Sequence, residues 1–412
     1  MSKDFIISGL DIGSTAVRIV VAQVTEDGLN VMAAVESPAE GVNRGVVNSI
    51  EDAVSSISQA LEQAERLSGF PIESVFVSVS GPHIISQDSR GVVAVGRADG
   101  EIRDDDVDRV IEAAQAVASP PNYEIIHVIP RSFVVDNQPG IKDPVGMTGV
   151  RLEVDAQIIQ GLSTQINNLT RCIYRTGVDI DDLVLGILAT AEAVLDKRQK
   201  ELGTVVINIG GTTTSLAVFE EGDILHAAVL PVGSSHITND IAIGLRISVD
   251  TAEQLKVNFG TCDPSAASKK QDIDLTDLSD LETGKISQKQ LADIIGARVE
   301  EIFSLVDEEL KKIDRAGLLP AGAVLTGGGA KLPGMVEAAK KHLRLPASIG
   351  TASDFISVID KANDLSFSTA LGLVKWGVSA SAQNKSRGFS LGKIAPKNIM
   401  QSIKGLFNRF IP

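Results

Sequence analysis

FIISGLDIGSTAVRIVVAQV, residues 5–24, decides how the chain is read, because its design returns at residues 205–219 as VVINIGGTTTSLAVF. In each copy a run rich in β-branched residues is interrupted by a Gly-containing turn and then resumes. The first copy passes a turn at Glu26-Asp27-Gly28 into LNVMAAVE, so that residues 5–36 read as two alternating strands. The second passes a turn from Glu220 to Asp223 into ILHAAVL. The copies lie 197 positions apart, aligning Asp11 with Asn208 and Gly13 with Gly210. Such a duplication predicts two similar α/β halves facing each other.

A third turn of the same kind, Thr326-Gly-Gly-Gly-Ala330, sits in AVLTGGGAKLPGMVEAAKKHL (residues 323–343), which reads as strand, turn and helix. Glycine has no Cβ, so a Gly-rich turn lets backbone N–H groups approach phosphate oxygens. Any one of these turns is compatible with ordinary tight chain reversal; three of them, two duplicated, point to a phosphate site. No G-x-x-x-x-G-K-[ST] pattern occurs, which excludes a P-loop enzyme.

Between the copies, Ile50, Val54, Ile57 and Leu61 give Ser49–Ser68 helical spacing, and SVFVSVSG alternates as a strand. Residues 83–162 read as an insertion with its own strand, helix and strand signals. Its helix opens on Asp104 to Asp106, expected to be a solvated first turn that complements the helix dipole. Ser163–Thr176 and Ala189–Gln199 read as helices. After the second copy, Thr238–Ile243, Val249–Phe259 and Ser287–Ile313 look helical, the acidic stretch from Asp272 to Glu282 reads as a solvated loop, and Ser379–Pro396 as a flexible linker.

With 412 residues, 43% hydrophobic and 22% charged, the chain has length for two to three domains and the composition of a globular protein. Aromatics are 4% and the net charge is −15, so general nucleic-acid binding is not expected. Cys172 and Cys262 form neither a disulfide framework nor a zinc pattern. No uninterrupted run of about 18 apolar residues predicts a membrane span, and Lys3 followed by Asp4 and Asp11 gives no signal-peptide pattern. Trp376 and the five histidines form no ligand set or triad, which leaves packing and surface positions for them.

The charge is unevenly spread. After Asp364 there are seven bases and no acid, so −22 resides in the residues before that point. In the tail KNIMQSIKGLFNRFIP, Ile399, Met400, Ile403, Leu406, Phe407, Phe410 and Ile411 fall at i, i+1, i+4, i+7, i+8, i+11 and i+12, one helical face. Lys404 and Arg409 flank that face. An apolar stripe hung from a Ser/Gly/Asn segment with only basic charge is the pattern of a helix that lies in an anionic lipid interface.

Together these features resemble the superfamily of actin, sugar kinases and the seventy-kilodalton heat-shock ATPases. Within it the chain is most similar to the FtsA family of bacterial cell-division proteins. The resemblance rests on the phosphate turns together with SVSGPHIISQDSRGVVAV (78–95), IPRSFVVDNQPGIKDPVGMTGVRLEVD (129–155) and LPVGSSHITNDIAIGLRISVDTAEQLKVNFG (230–260). It implies an α/β, actin-like, two-lobed ATPase fold with an inserted subdomain IC, and a C-terminal amphipathic helix. The implied divisions are IA over 1–82 and 163–203, IC over 83–162, IIA over 204–230 and 300–364, IIB over 231–299, a helix returning to IA over 365–378, a linker over 379–396 and the amphipathic helix over 397–412.

Carried over by position, the resemblance places ATP with Mg²⁺ in the cleft. Asp11 and Asn208 would face the metal, and Gly13, Ser14, Thr15, Gly210, Gly211, Thr212 and Thr213 the phosphates. Glu253 and Lys256 would approach the ribose and base, with Gly327, Gly328 and Gly329 lining the base; unaided, the Glu253/Lys256 spacing reads as an exposed helix pair. The resemblance further implies filaments of the chain itself, contact with the tubulin-like FtsZ through IIB, recruitment of later division proteins, and a peripheral position on the inner face of the cytoplasmic membrane at the division site. Departures exist. Asn208 and Ser215 stand where relatives carry carboxylates, Gly186 where some carry a water-orienting Glu or Gln, and Ala16 where many carry a lysine, with Arg18 on the same strand face as a substitute. ATP binding is therefore expected, with hydrolysis weak or absent. The rival readings are a PilM-like pilus assembly ATPase and a sugar kinase.

Overall fold

The computed structural model describes residues 5–117, 120–265, 272–278, 282–357 and 359–386. The tail carrying the apolar stripe lies outside the described residues.

Lobe I begins with β1 (Phe5–Ile12), β2 (Ala16–Thr25) and β3 (Gly28–Pro38). The first of the two strands expected from the sequence is therefore a hairpin, broken where Gly13-Ser14-Thr15 turns the chain back. A small ribbon follows, β4 (Val42–Asn43) and β5 (Val46–Val47), then helix α1 (Ile50–Ser68) and β6 (Ser74–Val79). Helix α1 buries Ala53, Ile57, Ala60, Leu61 and Ala64 on one face, as its spacing requires, and stops at Gly69 in the left-handed conformation.

The next stretch builds a separate sheet from β7 (Ile85–Ala94), β8 (Tyr123–Val135), β9 (Gln138–Ile141) and β10 (Arg151–Leu162), in the order β7-β10-β8-β9, with α2 (Asp104–Val117) after β7. Its core contains Val110, Ile111, Val128, Phe133, Leu152 and Ile158. Asp106 is 3% exposed rather than solvated, because its carboxylate bonds the Arg103 N–H and pairs with Arg109 and Arg97.

The chain then returns to lobe I through α3 (Ser163–Arg175), β11 (Asp179–Leu185) and α4 (Gly186–Val194), followed by the short α5 (Lys197–Leu202). The single helix expected over Ala189–Gln199 is thus two helices. Asp196 ends one and starts the other, since its carboxylate accepts from the Gln199 N–H while the Gln199 side chain accepts from the Asp196 N–H.

Lobe II opens on β12 (Thr204–Ile209), β13 (Thr214–Glu220) and β14 (Asp223–Leu230), the second copy of the hairpin design. The two copies turn alike: Gly13 N–H donates to Ala16 O at 3.0 Å and Gly210 N–H to Thr213 O at 2.9 Å. Helices α6 (Ser234–Leu245) and α7 (Val249–Phe259) precede a ribbon of β15 (Asp272–Asp274) and β16 (Lys285–Ser287). That ribbon replaces part of the expected acidic loop, because Ile273 and Leu275 are buried and anchor it. The long α8 (Gln288–Lys312), β17 (Gly322–Thr326), α9 (Met335–Leu343) and β18 (Ala347–Ile349) complete a five-stranded sheet ordered β14-β13-β12-β17-β18.

Strand β19 (Phe355–Ile356) joins the lobe I sheet, ordered β11-β6-β1-β2-β3-β19, and α10 (Ser368–Ser386) packs against β1 and α4. The helix passes the expected boundary at 378, so the start of the segment read as linker is helical. Every residue of α4 except Glu192 is buried, and α10 adds Ala370, Leu371, Leu373, Val374 and Trp376 to a core that also includes Val206 and Phe219 of lobe II. A helix apolar all round is one enclosed by neighbours. These two helices form the common floor of the lobes.

Candidate functional site

Above that floor lies a cavity of 620 Å³, lined from both lobes. Sites for small molecules and cofactors fall in this range, roughly 300–1,000 Å³. Its walls bring together Asp11, Gly13, Ser14, Thr15 and Arg18 from the first hairpin, Asn208 and Gly210 to Thr213 from the second, Glu253 and Lys256 from α7, and Gly327 to Gly329 after β17. Every cleft residue singled out in the sequence is therefore at one cavity. Gly186 lines it too, offering no side chain.

The two hairpin turns touch. Thr212 Oγ1 and Ser14 Oγ are 2.7 Å apart, Arg44 N–H donates to Thr212 Oγ1 at 3.2 Å, and Gly45 N–H to Ser14 Oγ at 3.3 Å. Gly211 permits this approach, since a Cβ there would stand 2.5 Å from Thr15 Cγ2. Asp11 is half-buried, and Ser78 donates to its Oδ1 at 2.6 Å. Burial pushes the Asp11 carboxyl above its ordinary range, against the pull of the Ser78 hydrogen bond and the Arg18 charge. Arg18 itself pairs with Glu36 at 2.7 Å while lining the cavity.

Asn208 is fixed by hydroxyl chemistry. Thr190 donates its proton to Gly186 O at 2.8 Å and lies 2.9 Å from Thr369 Oγ1, and Asn208 Nδ2 reaches Thr190 and Thr369 at 3.3 and 3.1 Å. With the Thr190 proton already engaged, this place asks for a donor, which an asparagine supplies and a carboxylate does not. On the other side, Lys256 is 8% exposed, and its Nζ donates to Glu253 at 2.7 Å and Thr238 at 2.9 Å. The exposed-pair reading of these two residues thus fails for Lys256, which α6 and α7 enclose.

Comparison with known proteins follows the same lines. In three dimensions the chain resembles PilM in a PilM–PilN type IV pilus biogenesis complex, with a TM-score of 0.65 and 16% identity over 90% of this chain and 98% of that one. It also resembles MreB5 of Spiroplasma citri bound to ADP, with a TM-score of 0.55 and 14% identity over 93% and 99%. At such identities the likeness establishes the fold, which is actin-like. Family models described as "Cell division protein FtsA" and "SHS2 domain inserted in FTSA" match residues 205–372 and 81–160. The FtsA of Bacillus subtilis is 38% identical over 403 residues, covering 98% of this chain and 90% of that protein, and the FtsA of Pseudomonas aeruginosa is 37% identical over 386, covering 93% and 91%.

The chain belongs to the FtsA family. It is an actin-like cell-division protein, and the four-stranded sheet between β6 and α3 is the SHS2 domain inserted in FtsA. Against this FtsA frame, sequence reading missed Thr369 of the cavity wall and two residues that support the wall from behind, Ser78 and Thr190. Ser78, which holds Asp11, and Thr190 and Thr369, which orient Asn208, are hydroxyls in apolar surroundings and carry no local signal. Lys331, Leu332 and Pro333 follow directly on the third Gly turn, inside the stretch 326–334 that the resemblance matches to the adenosine loop, and line the cavity beside it. Among the described residues no helix is long and apolar enough to cross a membrane, and no group of three or more His, Cys, Asp or Glu is placed to hold a metal ion.

Proposed function

We propose that this FtsA-family chain binds ATP with Mg²⁺ in the cleft and, in that state, links FtsZ filaments to the cytoplasmic membrane. The observation that carries the nucleotide reading is the meeting of the two duplicated turns, with their Ser14 and Thr212 hydroxyls 2.7 Å apart, at one end of a cavity walled by Gly327 to Gly329. Backbone N–H groups and small hydroxyls crowded from two sides suit a polyphosphate.

The donor set also fits a hydrated Mg²⁺. Ser78 occupies one oxygen of Asp11, and the carboxylate is half-buried, so a cation would relieve its desolvation. Mg²⁺ keeps several waters and takes one or two carboxylates with phosphate oxygens. Asp11 would hold those waters, Asn208 would offer only its amide oxygen, and the metal would neutralise phosphate charge. Lys256 and Glu253, which line the cavity, would meet the ribose and base.

The carboxylates lining the cavity, among the described residues, are Asp11 and Glu253, both already engaged by neighbours. Neither is placed as the free general base a sugar kinase needs, and Gly186 cannot orient water. The chain therefore acts through nucleotide-dependent assembly rather than turnover. Subdomain IIB, residues 231–299, is the proposed FtsZ contact, filaments of the chain itself and later division proteins are the further partners, and residues 397–411 are the proposed anchor on the inner membrane face.

Thermal unfolding in the presence of ATP and Mg²⁺ tests the cleft. Ligand at a hundred times its Kd stabilises by about 2.7 kcal/mol. Millimolar ATP should raise the Tm of the wild type and leave Gly210→Val unchanged. An unmoved wild-type Tm would end the nucleotide reading. Co-sedimentation of the full chain with FtsZ tests the partner.

A further inference from the structure

The inserted SHS2 sheet is joined covalently to lobe I alone, through β6 on one side and α3 on the other. Its side chains nevertheless reach lobe II. Arg131 on β8 donates Nε to Ile224 O at 3.1 Å and Nη2 to Leu225 O at 2.6 Å, and Gln157 on β10 donates Nε2 to Leu225 O at 3.3 Å. Lys142, just after β9, ion-pairs with Asp223. Arg131 is itself aimed by Asp88 on β7 at 3.0 Å.

The lobe II acceptors are unusual backbone. They lie on β14, the edge strand of its sheet. Pairing with β13 slips by one residue between Val218 and Phe219, leaving Leu225 opposite no partner. A bulge on an edge strand frees a carbonyl from the ladder. That carbonyl receives two donors from the inserted sheet. Gln157 is 2% exposed, so its contact with Leu225 is enclosed, whereas the Arg131 and Lys142 side chains are 23% and 36% exposed and stay closer to water.

We propose that Arg131, Gln157 and Lys142 form a latch by which the SHS2 sheet grips the bulged edge of lobe II and sets the opening of the cleft. The grip lies at the far end of the β13–β14 hairpin from the Gly210 to Thr213 turn. Seven residues of β13 separate the two ends, about 20 Å at the usual rise per residue. The lobes are thus held on each side of the α4/α10 floor, by Ser14 and Thr212 at one end and by the latch at the other. Rotation about that floor requires the latch to release or the SHS2 sheet to travel with lobe II. Its partners are carbonyl oxygens and a carboxylate, which water can satisfy after release. The root of the sheet also touches the first turn: Gly45, whose N–H bonds Ser14, lies so close to Ser80 that a Cβ would be 2.5 Å from its carbonyl oxygen. Cleft state and SHS2 position are therefore mechanically linked, whatever ligand the cleft takes.

The test is a distance between the SHS2 sheet and lobe II in the full chain. Val150, 71% exposed beside β10, and Leu318, 64% exposed in lobe II, are converted to Cys and spin-labelled. Cys172 and Cys262 are buried, and burial pushes the Cys262 thiol up to about 12, so the introduced thiols take the labels. Pulsed dipolar spectroscopy should give one narrow distance distribution with the latch intact. Lys142→Asp, and separately Arg131→Ala with Gln157→Ala, should add a second population or at least double the width, and Lys142→Asp combined with Asp223→Lys should restore the narrow one. An unchanged distribution in the single-site and double variants, or a charge swap as broad as Lys142→Asp alone, overturns the latch. The swap also guards against misfolding, because a variant that merely unfolds is not rescued by moving the charge.

Discussion

Replacing Gly327 and Gly328 separately with alanine distinguishes a backbone that must be glycine from one that leaves room for ligand. Gly327 has φ 86° and ψ 169°, a region open essentially to glycine alone, where another residue is strained by about 1–3 kcal/mol. Its Cβ would also stand 2.2 Å from Asn208 Oδ1 and 2.7 Å from Ile209 O. Asn208 would have to move, losing its hydrogen bonds to Thr190 and Thr369, each worth about 0.5–1.5 kcal/mol. Gly327→Ala should therefore destabilise the protein by roughly 2–6 kcal/mol, a large share of the ~5–15 kcal/mol of a typical domain. At Gly328 a Cβ meets nothing within 4 Å, so Gly328→Ala should stay within about 1 kcal/mol of the wild type. Urea unfolding of both variants measures the difference, and ATP-dependent thermal shifts measure what Gly328→Ala does to the cavity it lines. Gly327→Ala within 1 kcal/mol of the wild type, or equal damage from the two variants, would refute this account of the third turn.

Three further outcomes are expected. Purified protein with ATP and Mg²⁺ should turn over well below ~1 s⁻¹ because Gly186 and Asn208 leave no carboxylate to position water, and steady turnover at 1–10 s⁻¹ in a phosphate-release assay would contradict that. Phe407→Glu with Phe410→Glu should abolish pelleting with anionic liposomes while the melting curve of the body is unchanged; equal pelleting of both proteins would remove the tail from its proposed role. The folded pKa of Asp11 is raised above its unfolded value, so the native state holds the proton more tightly and this group subtracts stability as pH climbs past the ordinary carboxylate range. Asp11→Asn should accordingly stabilise the ligand-free protein at pH 7 and have little effect near pH 3, while cancelling any Mg²⁺-dependent gain from ATP; a stabilisation independent of pH would show that burial of the charge is not the cause.

Much of the fold was legible because it is written in local terms. The duplicated hairpins, the Ser49–Ser68 and Ser287–Ile313 helices and the third Gly turn are carried by side-chain period and by glycine, which act within a few residues. The cleft residues of the two hairpin turns and the third Gly turn reach one cavity for the same reason, since the backbone shape of a Gly-containing turn is encoded where it occurs. Glu253 and Lys256 on α7, by contrast, were named by resemblance alone. Nothing local announced that Lys256 is enclosed, since helix spacing says which residues share a face and not what covers it. Asp106 was misread likewise, its burial depending on Arg97 and Arg109 brought in by the fold.

By itself, then, the sequence determined two facing α/β halves, three Gly-rich turns and an acidic body followed by a basic, amphipathic tail. Only the tertiary structure decided what each polar group meets. Asn208 is a donor because Thr190 and Thr369, 18 positions before and 161 after, converge on it. Arg131 is an inter-lobe contact because a one-residue slip at Leu225, 94 positions on, turns a carbonyl out of its ladder. Hydrogen bonds are directional and short-ranged, so partners distant in sequence are fixed when packing brings them within about 3 Å.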